Sequence, residues 1–180
     1  MNRNWRDNGL RYGRVTRIFH WTMAALLVWQ FTGMAVKEIV GRAPITAFWV
    51  GTHVSVGALL WLLLILRAIW GLYNLPHRPR HRDGLLGFAA VGGHLLLYGL
   101  MLVVPSLALL RAAGSGKGLT VFGLPLIEAG GAKVDWMTAP ANAAHGTLAW
   151  LLLRVVAGHL VMVAIHHLAW KDDTLARMLR

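Results

Sequence analysis

Histidine is the residue type in this chain best suited to chemistry. There are nine of them in 180 residues, against no cysteine at all. The lack of thiols excludes disulfides, iron–sulfur clusters, thiolate-held zinc or haem, and covalently attached c-type haem. Metal-ligand capacity therefore rests almost wholly on imidazole. His20, His53, His94, His145 and His159 all fall inside strongly apolar stretches. An ionisable side chain within a bilayer is costly and usually marks a working site. The plainer alternative for any one of them is a hydrogen bond to a neighbouring helix.

Spacing sharpens this. His145 and His159 are 14 residues apart. On a helix of about 100° and 1.5 Å per residue they share nearly one face, about 40° apart in azimuth and about 21 Å apart along the axis. One helix thus offers an imidazole near each side of a membrane. His53 enters its own span at the depth of His145, and His20 enters at the depth of His159. Two imidazoles facing each other from different helices are what a six-coordinate b haem requires. The pattern predicts two stacked bis-histidine haems, an outer one on His53 and His145 and an inner one on His20 and His159. His94 shares the inner depth and could replace His20; a supporting or hydrogen-bonding role beside Tyr98, one turn on, suits it better, because otherwise the first span has no ligand. Zinc or a diiron centre would want carboxylates or a tight cluster, and the spans hold almost no Asp or Glu.

Other residues gather around this scheme. Arg67 is again 14 residues beyond His53, on the same face at the inner level. A buried Arg needs an anion. A haem propionate would serve; snorkelling to the interface is the alternative. Arg154 turns away from the haem seam. His166, His167, Trp170 and Lys171 close the last span, with Asp172 beside them. They fit either a quinone headgroup site with proton delivery or an ordinary interfacial girdle. His77 and His81 sit in a basic linker and read as solvated. Arg111, Lys117 and Lys133, beside only Glu128 and Asp135, give the outer segments a mild positive excess that could attract a small anion.

The elements that must position these residues follow from composition. The chain is 57% hydrophobic and 14% charged, with a mean hydropathy of +0.54, far from the balance of a soluble domain. Spans of about 20 apolar residues are expected at 18–36, 47–72, 85–110 and 143–170. The fold class is all-α, an integral membrane four-helix bundle in a single domain over 1–180. Residues 111–142 read as an irregular or partly helical loop, and 172–180 as a short interfacial helix. A long basic lead and three following spans argue against a cleaved signal peptide. The formal charge is +11. Eleven Lys and Arg flank one side of the spans (Arg3, Arg6, Arg11, Arg14, Arg17, Arg78, Arg80, Arg82, Lys171, Arg177, Arg180), and five flank the other. The bias puts both termini in the cytoplasm. It also accounts for the charge without nucleic acid, which is not expected as a partner.

Four stretches carry a resemblance. RYGRVTRIFHW (11–21), HVSVGALLWLLLILR (53–67), HLLLYGLMLVVP (94–105) and the HGTLAW…HHLAWKDDTLARM run (145–178) resemble the bacterial cytochrome b561 family. The resemblance covers nearly the whole chain. It implies a four-helix, di-haem inner-membrane protein whose ligand histidines carry over to His20, His53, His145 and His159. It departs at Arg154, where an apolar or aromatic residue is expected. Membership implies electron transfer to the quinone pool, and the superoxide oxidase type passes electrons from superoxide to ubiquinone. The expected partners are lipid, quinone, a small anionic substrate and, in an alternative reading as an electron-carrier subunit, a separate dehydrogenase or hydrogenase. A non-redox transporter or structural bundle is a further alternative, and would be colourless.

Overall fold

The computed structural model describes residues 5–79 and 84–179. Arg3, Arg80, His81, Arg82 and Arg180 lie outside the described residues. Four long helices carry the fold: α1 (Arg14–Val40), α2 (Pro44–Asn74), α3 (Leu85–Gly114) and α4 (Asp135–Ala164). All four are long and apolar enough to cross a membrane. α1, α2 and α3 run beyond the apolar stretches that mark them in sequence, because polar turns prolong a helix past the hydrocarbon; α4 starts before its expected stretch of 143–170 and ends within it, at Ala164. α4 begins at Asp135 and tolerates Pro140 inside it.

Local chemistry sets the ends. Pro44 occupies the first position of α2, where its missing N–H would find no helical partner anyway. Thr46 Oγ1 accepts the Ala43 backbone N–H at 2.9 Å and closes the start. At the far end α2 tightens into a 3₁₀ turn, Leu75–His77. α4 ends differently. Residues Ile165–Ala169 form a π turn, with the Trp170 N–H reaching the Ile165 carbonyl at 2.9 Å. The expected helix over 172–180 is a single turn, α5 (Ala176–Leu179).

The segment before α4 differs from the loop expected there. Leu119–Val121 (β1) and Leu124–Ile127 (β2) form an antiparallel hairpin. Phe122 and Gly123 both have positive φ, 49° and 82°, the backbone of a two-residue hairpin turn whose twist matches its strands. The Phe122 N–H donates to Ser55 Oγ at 2.9 Å, pinning the hairpin tip to α2 two residues from His53.

α1 packs chiefly on α2, and α3 on α4. Met23, Val56, Leu60 and Leu64 form the buried core between α1 and α2, and Tyr98 and Met101 of α3 lean on it. Along α4, among the described residues, just Thr138, Ala141 and Leu152 are buried. The histidines stand where the two helix pairs face each other.

Candidate haem sites and the terminal polar cluster

Two pairs of imidazoles face each other across the bundle. His53 of α2 and His145 of α4 have ring centroids 6.2 Å apart. His20 of α1 and His159 of α4 are 6.5 Å apart. An imidazole–metal bond is about 2.0–2.1 Å, so two rings sharing one metal in line have centroids roughly 6.3 Å apart. Both pairs match that span. His94 is 5.6 Å from His159, too close for the same arrangement without movement. All four paired rings are half-buried.

Hydrogen bonds decide which nitrogen of each ring is available. His145 Nδ1 lies 3.0 Å from the Val104 carbonyl; as a carbonyl only accepts, Nδ1 carries the proton and Nε2 keeps its lone pair. That is the arrangement in which a second partner fixes a metal-binding ring. Among the described residues His53 Nδ1 is buried without a partner, so that ring's polar demand is unmet by them. Gln30 Nε2 donates to the His53 carbonyl at 3.0 Å and holds the backbone beside it. His94 Nδ1 donates to the Ala90 carbonyl at 2.6 Å, one turn back on its own helix.

Arg67 turns inward rather than snorkelling. Its Nε donates to Tyr98 Oη at 3.0 Å, and its Nη1 donates to His20 Nδ1 at 3.2 Å. Both partners are neutral acceptors, so the guanidinium charge has no counterion in these contacts. Tyr98, expected beside His94, is engaged by Arg67 instead, because its hydroxyl reaches across to α2 rather than along α3. Lys37 and Arg111 lie within electrostatic reach of His53, so cations attend the outer pair too. Arg154 is exposed on α4, facing away from the seam as its helical position requires.

The positive outer segment is weaker than its sequence suggests. Lys133 pairs with Asp135 at 2.6 Å, which cancels one charge. Arg111 and Lys117 are exposed.

At the other end the π turn brings a polar cluster together. His166 Nδ1 donates to Asp172 Oδ2 at 2.7 Å, and the Thr174 hydroxyl lies 3.2 Å from the same nitrogen. The Trp170 ring meets His166 edge-on at 4.6 Å. Burial pushes the Asp172 carboxyl up, but hydrogen bonds from the Thr174 side chain and backbone and from His166 outweigh it, holding the group below the usual carboxylate range. His167 is exposed on a different face, and Lys171 sits at a positive-φ corner; neither joins the cluster through these bonds. Thr174 is a member that sequence reasoning missed. Its signal was the Asp-Asp-Thr run, whose Asp172 Oδ1 accepts the Thr174 N–H at 3.0 Å, a local turn that returns the hydroxyl to His166.

The family model described as "Prokaryotic cytochrome b561" matches residues 11–180. The chain belongs to the prokaryotic cytochrome b561 family. It is 33% identical over 181 residues to "Cytochrome b561 homolog 2" of Escherichia coli (strain K12), covering 94% of this chain and 91% of that relative. It is 27% identical over 164 residues to "Probable superoxide oxidase CybB" of Yersinia pestis, covering 89% of this chain and 90% of that protein. It is accordingly a membrane electron-transfer protein of the cytochrome b561 family, for which b-type haem is the implied cofactor. The facing imidazoles, the unmet His53 Nδ1 and the inward-turned Arg67, whose two hydrogen-bond partners are neutral, all fit such a group.

Proposed function

We propose that this cytochrome b561 holds two b haems, the outer between His53 and His145 and the inner between His20 and His159, and passes electrons from superoxide to ubiquinone. The observation that carries the reading is the pair of matched ring separations, 6.2 and 6.5 Å, at two levels of α4. The relative from Yersinia pestis, a probable superoxide oxidase, supports the choice of reaction.

A b haem bound at each pair supplies one-electron redox chemistry that protein side chains cannot. Two superoxide anions give up one electron each and leave as dioxygen; one quinone takes both electrons and two protons to become quinol. The chain's residues do the rest. His145 keeps its proton on Nδ1 through Val104, so Nε2 faces the seam as a ligand atom. Arg67 supplies a positive charge at the inner level, where a propionate would give it the anion it lacks. Arg111, with Lys117 beyond it, draws an anionic substrate toward the outer pair. His166 holds a proton at Nδ1 against Asp172, beside the exposed ring of Trp170, and His167 and Lys171 border the same end; this cluster is the proposed quinone headgroup site. Both termini face the cytoplasm of a bacterial inner membrane in this reading, and lipid is the surrounding partner.

Purified protein tests it. A dithionite-reduced minus oxidised spectrum is expected to show b-type bands at two haems per chain, and superoxide generated in solution is expected to reduce added ubiquinone with no other protein present. A colourless preparation overturns the haem sites. A coloured protein inert to superoxide overturns the reaction and points to a carrier that serves a separate dehydrogenase or hydrogenase.

A further inference from the structure

We propose a second binding site, for a phosphate-bearing anion, at the end of the bundle where the segment leading into α1 meets the segment that follows α4. An open cavity of about 610 Å³ lies there, walled by Asp7–Gly9, by Pro76–Arg78 and by Arg177. Its volume is in the range of ligand sites generally. Three segments far apart in sequence build it, and its polar side chains are nearly all donors.

Those donors are held in place. Arg78 Nε is committed to Asp7 Oδ2 at 3.2 Å. Its guanidinium also lies close over Gly71 of α2, where a Cβ would come within 2.9 Å of Nη2. Among the described residues the terminal amino groups make no side-chain hydrogen bond, which leaves them donors for a further acceptor on a side chain already immobilised. The Asp7 charge is offset by Arg78, and its carboxylate, 0% exposed, offers the cavity no free acceptor. Besides Arg78 it accepts the Gly13 N–H at 2.8 Å and the Thr16 hydroxyl at 2.6 Å. Asn8 is oriented through its Oδ1, which accepts the Leu10 and Arg11 N–H groups at 3.0 Å each; its amide NH₂ end is a donor. Arg177 is anchored by its backbone, which accepts from Tyr12 N–H and donates to the Asp173 carbonyl. His77 adds an imidazole. With Arg78 set against Asp7, Arg177 leaves the cavity one positive charge in surplus.

The surroundings suit a phospholipid headgroup as the source of the phosphate. The cavity adjoins the end of α2, near Trp70, at the level where tryptophans mark a membrane interface. Leu10 and Leu75, each next to a lining residue in sequence, are 83% and 61% exposed. An acyl chain would cover them while the arginines take the phosphate. Juxtamembrane basic pockets bind anionic headgroups in this way. The site goes beyond the proposed redox function and does not depend on it.

The test uses the full haem-loaded chain in discs of neutral lipid, titrated with phosphatidylglycerol, with phosphatidylcholine and with inorganic phosphate. Phosphatidylglycerol is expected to bind and raise the unfolding temperature, and phosphatidylcholine to do neither. Arg177→Gln and His77→Ala should weaken that binding, Arg177→Gln by about fivefold, the worth of one interfacial Arg. Arg154→Gln, removing an exposed cation elsewhere, should leave it unchanged. The haem spectrum of each variant, expected to be unaltered, separates this outcome from loss of the redox sites. Displacement of the lipid by inorganic phosphate supports the site and identifies free phosphate as a competing source. Equal binding of both lipids, or equal effects of Arg177→Gln and Arg154→Gln, overturns the proposal.

Discussion

His20 and His145 stand in equivalent pairs but are presented differently. His145 has its proton fixed on Nδ1 by the Val104 carbonyl. His20 has Nδ1 turned into an acceptor by Arg67, which leaves the proton on Nε2. Using Nε2 of His20 as a ligand atom therefore moves the proton to Nδ1 and removes the acceptor for Arg67, whose Nη1 is then free for a carboxylate. Arg67→Gln is accordingly expected to lower the midpoint potential of the inner haem, since a lost cation disfavours the reduced state less well compensated in charge, while the outer potential stays put; a spectroelectrochemical titration reads both. Substituting His145 or His159 by Ala should remove one haem each, seen as a halved pyridine haemochrome yield, whereas His94→Ala should retain two. Retention of both haems in either of the first two variants would sink the ligand scheme. Asp172 gives a pH-dependent prediction. Its folded-state pKa is depressed, so its contribution is present above the ordinary carboxylate pKa of about 3.9 and is lost as pH falls through the lower folded value. Asp172→Asn is expected to lower the unfolding temperature at pH 7 and to converge with the parent protein in strong acid.

The helices and the irregular elements were legible to different degrees, for physical reasons. Long apolar runs announce spans because a bilayer demands about 20 such residues, and the depth of each histidine follows from counting along them. The hairpin Leu119–Ile127 was not legible: its strands are short, Pro125 sits in one of them, and their residues are mostly exposed, so no buried alternation marks them. The Phe-Gly pair at the turn was the available signal. The π turn at Ile165–Ala169 was equally silent, since one extra residue in a helical turn leaves the apolar pattern almost unchanged; yet it moves Trp170 and Asp172 onto the His166 side. Angles counted along an ideal helix hold for His145 and His159 within α4, and fail past Ala164. Tyr98 shows a third limit, as spacing along α3 says nothing of a hydroxyl that crosses to Arg67. For the hairpin, Gly118→Ala is expected to destabilise the outer segment by about 1–3 kcal/mol. Gly118 has φ +75°, and a Cβ there would meet the Ile127 carbonyl oxygen at 2.5 Å. Thermal unfolding measures the loss, and the inner haem spectrum should not respond.

At the scale of the whole molecule the two chain ends lie together. The Tyr12 N–H donates to the Arg177 carbonyl at 3.2 Å, Arg17 Nη1 to the Leu179 carbonyl at 3.0 Å, and Trp21 Nε1 to the Met178 carbonyl at 3.2 Å. An even number of spans requires termini on one side, and these bonds join the two end segments physically at the foot of α1, next to His20. The charge asymmetry is the argument for which side that is. Basic residues are retained in the cytoplasm when they flank short linkers, and eleven of the Lys and Arg counted beside the spans belong to the end that carries the termini, against five at the other. The expected topology puts the His53–His145 pair toward the outside and the His166 cluster toward the cytoplasm, so that an anion arriving from outside and a quinone protonated from inside meet opposite ends of α4. A green fluorescent protein fused after Arg180 should fluoresce, and alkaline phosphatase fused at the same place should be inactive. Replacing Arg6, Arg11, Arg14 and Arg17 together with Gln should erode that preference, because the remaining bias falls from eleven against five to seven against five. An active phosphatase on the unmodified chain would invert the molecule and, with it, the assignment of donor and acceptor ends.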